Sequence, residues 1–212
     1  MPRPTWKPWR YDRKWEGGGM AQTKIIVDSN SYFRLAQNIH PLLSQPFGKD
    51  ELTLYVHADL NAEFKFNSRL TNKFHWVAES RYVANRSRSI NLSKAQKKEI
   101  EETYDYLWEH VQDEFLEPRG KGPSPIDTRI VATALVLGIR LVTDDRDMIE
   151  LAAAYDVQQI SSMEMMKLML DEGHIDSDKI DQVVEQWVYD NDTPHRDWRV
   201  DFKRLFGRKA PK

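Results

Sequence analysis

The residues best placed to do chemistry in this sequence are acids that stand directly after short apolar runs. Asp28 follows Ile25-Ile26-Val27, and Asp144-Asp145 follows Leu141-Val142-Thr143. Runs of this kind read as buried parallel strands, and an open parallel sheet binds ligands beyond the carboxyl ends of its strands. Asp127, which opens one helical pattern, and Glu63, early in another, can project toward the same edge. Four carboxylates gathered there repel one another, so some must stay protonated unless cations join them. Mg2+ or Mn2+ resolves the conflict. Such an ion acidifies bound water, aligns it for in-line attack and neutralises charge developing on a phosphodiester. Taken singly, an Asp at a helix start is as often a cap as a ligand.

The composition narrows the alternatives. A chain of 212 residues, 40% hydrophobic, can bury one good core with at most a small appendage. With no cysteine, zinc-thiolate sites, thiol nucleophiles and disulfides are excluded, and a metal must be held by oxygen or histidine. No convincing Ser-His-Asp arrangement is present. The N-terminus is polar and aromatic, and no apolar run approaches the ~20 residues needed to span a bilayer. The expectation is a soluble, cytoplasmic protein without membrane contact.

Several elements must position these acids. Lys24 to Val27 reads as the first strand, followed by a helix from about Ser29 to Asn38. Pro41, Pro46 and Gly48 mark a loop before a second strand, Leu52 to Val56, which leads into a helix carrying Glu63. The middle is helical by pattern: Ser93 and Gln96 form a capping-box pair, and Ile100, Tyr104, Leu107, Val111 and Phe115 recur at helical spacing. The loop from Pro118 to Pro125 breaks that helix. A helix through Ile130, Ala134 and Leu137 stops at Gly138, a strand ends on Asp144-Asp145, and a further helix runs from Asp145 to about Tyr155. A short strand near Val157 to Ile160 and a Met-rich helix capped by Ser161 or Ser162 follow. This alternation predicts a three-layer α/β/α sandwich around a mainly parallel sheet, spanning residues 20–170.

Charge blocks hide behind the formal net charge of −2. Residues 81–98 carry six Arg/Lys and no acid, while 99–117 carry eight Asp/Glu and no base. The acidic block reads as a solvated helix face. The basic block, Arg81, Arg86, Arg88, Lys94, Lys97 and Lys98, is the candidate for contacts to an RNA backbone. Beyond residue 170 two short helices, 177–189 and 197–206, form a basic C-terminal extension, 171–212. Its second half interleaves Trp198, Phe202, Leu205 and Phe206 with bases, which reads as an amphipathic helix packed on the domain or as a nucleic-acid contact. Residues 1–19 hold three Pro, three Trp and a net charge of +3, and end in Gly17-Gly18-Gly19. They read as a basic aromatic peptide joined by a glycine linker to a native start at Met20, an engineered fusion, with a natural N-terminal arm as the alternative.

The order of the acids and their flanks resembles the PIN-domain nucleases. Ile25-Ile26-Val27-Asp28-Ser29-Asn30 is similar to the family's first motif, and Leu54 to His57 leading to Ala62-Glu63-Phe64 resembles the second. Ser124-Pro125-Ile126-Asp127, running on to Ala134, resembles the third, and Leu141-Val142-Thr143-Asp144-Asp145-Arg146-Asp147 the fourth. The last two together are specific, and the resemblance covers residues 21 to about 170. It implies that Asp28, Asp127 and Asp145 ligate Mg2+ or Mn2+. Glu63, favoured over Asp59 by its distance from the strand, is implied as a further ligand or as the group that orients a metal-bound water. Ser29 or Thr143 would hydrogen-bond the ligands, with Asp144 and Asp147 as auxiliaries.

An endoribonuclease follows from that resemblance, with RNA, including tRNA or other structured RNA, as substrate. Compact members of the family are toxins of toxin-antitoxin pairs, so an antitoxin protein or peptide is an implied partner, and exposed aromatics would allow a homodimer. Within the N-terminal peptide, Arg3, Trp6, Lys7, Trp9, Arg10 and Arg13 have the composition of an inhibitory segment that fills apolar grooves and pairs with acids. The long helical middle and the C-terminal extension depart from the compact toxins. A haloacid dehalogenase-type phosphatase would need a second acid at Asn30. A Toprim-like site would need a Glu after the first strand. A PIN-like module that binds RNA or assembles without cutting it is the non-enzymatic alternative.

Overall fold

The computed structural model of the chain describes residues 24–58, 60, 64 and 68–211. Its centre is a sheet of four strands in the order β2-β1-β3-β4, every pair parallel: β1 Lys24–Val27, β2 Thr53–Val56, β3 Arg140–Val142 and β4 Gln159–Ile160. The register aligns Val27 with Val56 on one side and with Val142 on the other. The carboxyl ends of β1, β2 and β3 therefore finish level, and the residues that follow them share one edge.

Alternation along the strands explains why the sheet is covered on both faces. Ile25, Val27, Leu54, Val56 and Val142 point into one core, Ile26 and Leu141 into another. The first core is closed by α1 (Ser29–Ala36), α2 (Ser68–Lys73), a 3-10 turn (His75–Ala78) and α3 (Ser80–Arg86), with rings such as Phe33 and Phe74 stacked at 4.8 Å. The second is closed by α4 (Lys94–Val111), α5 (Pro125–Leu137) and α6 (Arg146–Ala154). The protein is thus an α/β fold of three layers, as the strand and helix alternation predicts.

Helix boundaries follow the local signals, with one exception. Ser93 and Gln96 close a capping box on α4, and α5 ends where Gly138 takes φ 61°, a left-handed conformation that a side chain would strain. The expected break at Pro118 does not occur there. Instead α4 continues through a π-helical segment, Gln112–Leu116, and a helical turn, Glu117–Arg119. Widening the turn immediately before Pro118 moves the preceding carbonyls out of the path of its ring, so the axis persists until Gly120.

Beyond β4, α7 (Ser162–Asp171), α8 (Ser177–Tyr189) and α9 (Trp198–Phe206) return to the first face. Ile180, Val183, Val184 and Trp187 occupy one helical stripe and are buried, as are Trp198 and Phe202. They belong to the same core as β1 and β2. Of the two readings of the basic C-terminal helix, packing on the domain is the one observed, and Arg204 and Arg208 are engaged by Asp201 and Asp181. Among the described residues, no helix is long and apolar enough to cross a membrane.

Candidate functional site

Asp28 stands at the turn from β1 into α1. Its backbone N–H still donates to Val142 O at 3.0 Å, so the sheet ladder fixes its Cα. Its side chain caps α1, accepting from the Ser31 amide, and accepts a second hydrogen bond from the Thr143 hydroxyl. The residue is only 2% exposed. Burial pushes its carboxyl up to about 7, against the opposing pull of the Thr143 and Ser31 hydrogen bonds, and the charge of Asp144 adds to the rise. Among the described residues no cation pairs with it.

Asp145 and Asp127 lie at the starts of neighbouring helices. The Asp145 side chain caps α6 by accepting from the Met148 amide at 2.9 Å, while its own amide donates to Thr143 Oγ1 at 3.1 Å. Thr143 thus donates to Asp28 and accepts from Asp145, and one hydroxyl ties the two acids together. Asp127 sits in the first turn of α5, in a capping box with Ser124: its amide donates to the Ser124 hydroxyl at 3.1 Å and its carboxylate accepts the Ser124 amide at 3.0 Å. Burial raises its pKa, and the charges of Asp145 and Asp147 raise it further. Capping explains where these two acids are.

Glu63, the fourth expected acid, and Asp59, its competitor, lie outside the described residues. Among the described residues no three His, Asp or Glu side chains come together closely enough to hold one metal ion. Asp28 and Asp145 are joined through Thr143 instead, and the charge of Asp144 bears on Asp28 while those of Asp145 and Asp147 bear on Asp127. Ser29, the other expected hydrogen-bonder, is buried beside Asp28.

Asp144 has a different environment from its neighbour. Its side chain is 1% exposed and both oxygens are engaged: Oδ1 accepts the Ser162 amide at 3.0 Å, and Oδ2 accepts the Ser162 hydroxyl at 2.6 Å and Arg34 Nη1 at 3.0 Å. Neither Arg34 nor Ser162 stood out in the sequence as a partner of this acid. Arg34 is an ordinary basic residue in the last turn of α1, where a cation suits the helix dipole, and nothing local marks it as reaching Asp144.

The expected basic stripe divides on inspection. Arg88, Lys94 and Lys97 are exposed. Lys98 is exposed but lies 3.4 Å from Glu102, and Arg81 pairs with Glu79 at 2.9 Å. Arg86 does not belong to the stripe: it is 7% exposed, donates to the Tyr32 hydroxyl at 3.2 Å and lies over that ring. It sits on the inner face of α3, where helical periodicity turns it toward the first core rather than toward solvent. The basic aromatic residues expected of an inhibitory segment, Arg3, Trp6, Lys7, Trp9, Arg10 and Arg13, lie outside the described residues.

A concave cleft of about 660 Å³ lies elsewhere, between α4 and the residues leading into β3 and β4, with Glu102, Tyr106, Ile139, Tyr155 and Gln158 in its lining. It is at the amino edge of the sheet, opposite the acids.

No model of a protein family matches the sequence, and no curated protein does. Among solved structures, the crystal structure of FitAcB from Neisseria gonorrhoeae is similar to this chain, with 18% identity and a TM-score of 0.41 over 65% of this chain and 97% of that one.

Proposed function

We propose that this protein is a metal-dependent endoribonuclease, with Asp28, Asp127, Asp145 and Glu63 holding Mg2+ or Mn2+ and RNA as substrate. The observation that carries the reading is Asp28. It is a carboxyl group buried at the carboxyl end of a central parallel strand, without a cationic partner among the described residues, and joined to Asp145 through Thr143. The donor set, carboxylate oxygens in a chain without cysteine, fits a hard divalent cation. Bound there, the ion would supply an acidified water and offset the charge of the phosphodiester. Thr143 would hold the Asp28 carboxylate in one orientation, and the helix-capping bonds would hold Asp145 and Asp127. Arg88, Lys94 and Lys97 would attract the RNA backbone without reading its sequence. The motif resemblance extends this reading to the toxin of a toxin-antitoxin pair, restrained by an antitoxin or by its own N-terminal peptide.

One observation favours a non-cleaving, RNA-binding module instead: the described acids do not form a ready-made triad. Incubating a mixed RNA pool with the full chain, and with a chain lacking residues 1–19, decides between them. Cleavage that needs Mg2+ or Mn2+, stops with EDTA and falls at least about 100-fold in Asp28→Asn and Asp127→Asn supports the nuclease. RNA retained in a gel shift but left intact by both proteins would sink it.

A further inference from the structure

We propose that Asp192, in the loop between α8 and α9, is a positioning residue for the Asp144-Asp145 turn and acts through Arg34. The C-terminal segment is thereby part of the candidate active site. For catalysis the inference rests on the nuclease reading; for the brace itself it rests on geometry alone.

The chain of contacts is continuous. Arg34 Nη1 donates to Asp144 Oδ2 at 3.0 Å, while its Nη2 lies 3.4 Å from Asp192 Oδ1 and its Nε donates to the Asp192 carbonyl at 3.3 Å. The Arg34 carbonyl accepts the Trp187 indole N–H at 2.8 Å, and Lys73 Nζ lies 3.4 Å from the other Asp192 oxygen. Residues of α8 and the loop after it therefore grip Arg34 at its backbone and at the far end of its side chain.

Gripping matters because an arginine side chain carries substantial rotamer freedom, and a guanidinium held on one acid alone spends time elsewhere. Two further contacts to Asp192 narrow that freedom, so the fork arrives on Asp144 already oriented. Asp144 in turn holds the Ser162 amide and hydroxyl, which pins β3's exit to the start of α7. The next residue is Asp145, whose backbone cannot swing while Asp144 is fixed on both oxygens.

Asp192→Ala in the full chain tests this, with Arg34→Lys as a second variant and Asp201→Ala as the control. Asp201 pairs with Arg204 at 3.1 Å and with His195, in the same loop as Asp192, at 3.0 Å, so its removal shows whether loosening that loop without touching Arg34 has the same effect. Hydrogen exchange at the Ser162 and Asp145 amides is the first readout, and kcat and KM on RNA at saturating Mg2+ the second. Asp192→Ala and Arg34→Lys should each speed exchange at Ser162 about five-fold and lower kcat about five-fold, with KM within about two-fold; Asp201→Ala should do neither. Unchanged exchange in Asp192→Ala overturns the proposal, as does an equal effect in Asp201→Ala. Faster exchange in a chain whose parent cuts no RNA upholds the brace and sinks the nuclease reading.

Discussion

Replacing Asp28 by Asn should make the metal-free protein more stable at alkaline pH and flatten its dependence on pH. The Asp28 carboxyl is raised from 3.8 to about 7 in the folded chain, chiefly by burial. Between those values the folded protein keeps a proton that the unfolded chain has released. Unfolding therefore releases protons, and stability falls as pH rises through this window. Below it both states are protonated and the penalty is absent; above it both are ionised and the penalty is constant. The shift corresponds to about 4 kcal/mol. Asparagine removes the titration and exchanges the bond from Thr143 to a neutral carboxyl for one to an amide, at a cost of up to about 1 kcal/mol, so the net gain at pH 8 is roughly 3 kcal/mol. At ~2–4 °C per kcal/mol for a chain of this size, the melting temperature rises by about 6–12 °C.

Urea and thermal unfolding of wild type and Asp28→Asn from pH 4 to pH 8, in EDTA, measure this directly. The two stability curves should nearly meet at pH 4 and diverge toward pH 8. Adding Mn2+ at pH 8 should then restore the wild type, by about 2.7 kcal/mol at 100 times its Kd, and leave the variant unmoved. Parallel curves in EDTA would refute the claim that a desolvated carboxyl is stored at the end of β1. Divergent curves with no response to metal would keep the buried acid and remove its ion.

Three further outcomes follow from the packing and the caps. Ser124→Ala removes the hydroxyl that accepts the Asp127 amide at the start of α5, and should cost about 1 kcal/mol in urea unfolding. Phe202→Ala, at a fully buried position on α9, should cost about 3–5 kcal/mol in one cooperative transition; a loss under 1 kcal/mol would mean that the C-terminal helix is not part of the core. Arg88→Gln and Lys97→Gln should each weaken RNA binding and lower its salt dependence by nearly one ion, whereas Arg86→Met should lower stability and leave the salt slope alone.

Much of this architecture is legible from local sequence because its determinants are local. The apolar runs ending on Asp28 and Asp144-Asp145 mark buried parallel strands and the edge where they finish. The pair Ser93 with Gln96 marks a helix start within three residues, and Gly138 marks a stop. Each such signal acts within one turn or one strand, so it survives without knowledge of the rest of the fold. Pro118 does not end its helix, because a π-helical turn, which has no local sequence signature, accommodates its ring.

Tertiary structure alone decided which side chains meet. Arg34 finds Asp144 across 110 residues and Asp192 across 158, and no periodicity links them. Arg86 reads as one more base in a basic block until the rotation of α3 turns it onto Tyr32. Asp144 and Asp145 are the same residue type at adjacent positions, yet one is locked to Arg34 and Ser162 and the other caps a helix beside Asp127. Sequence by itself determined the acids, their order and the sheet edge that carries them. Whether a given acid is held by a base, a hydroxyl or an amide depends on how the layers pack, because charge and hydrogen bonding act over a few ångströms of space, whatever the separation along the chain.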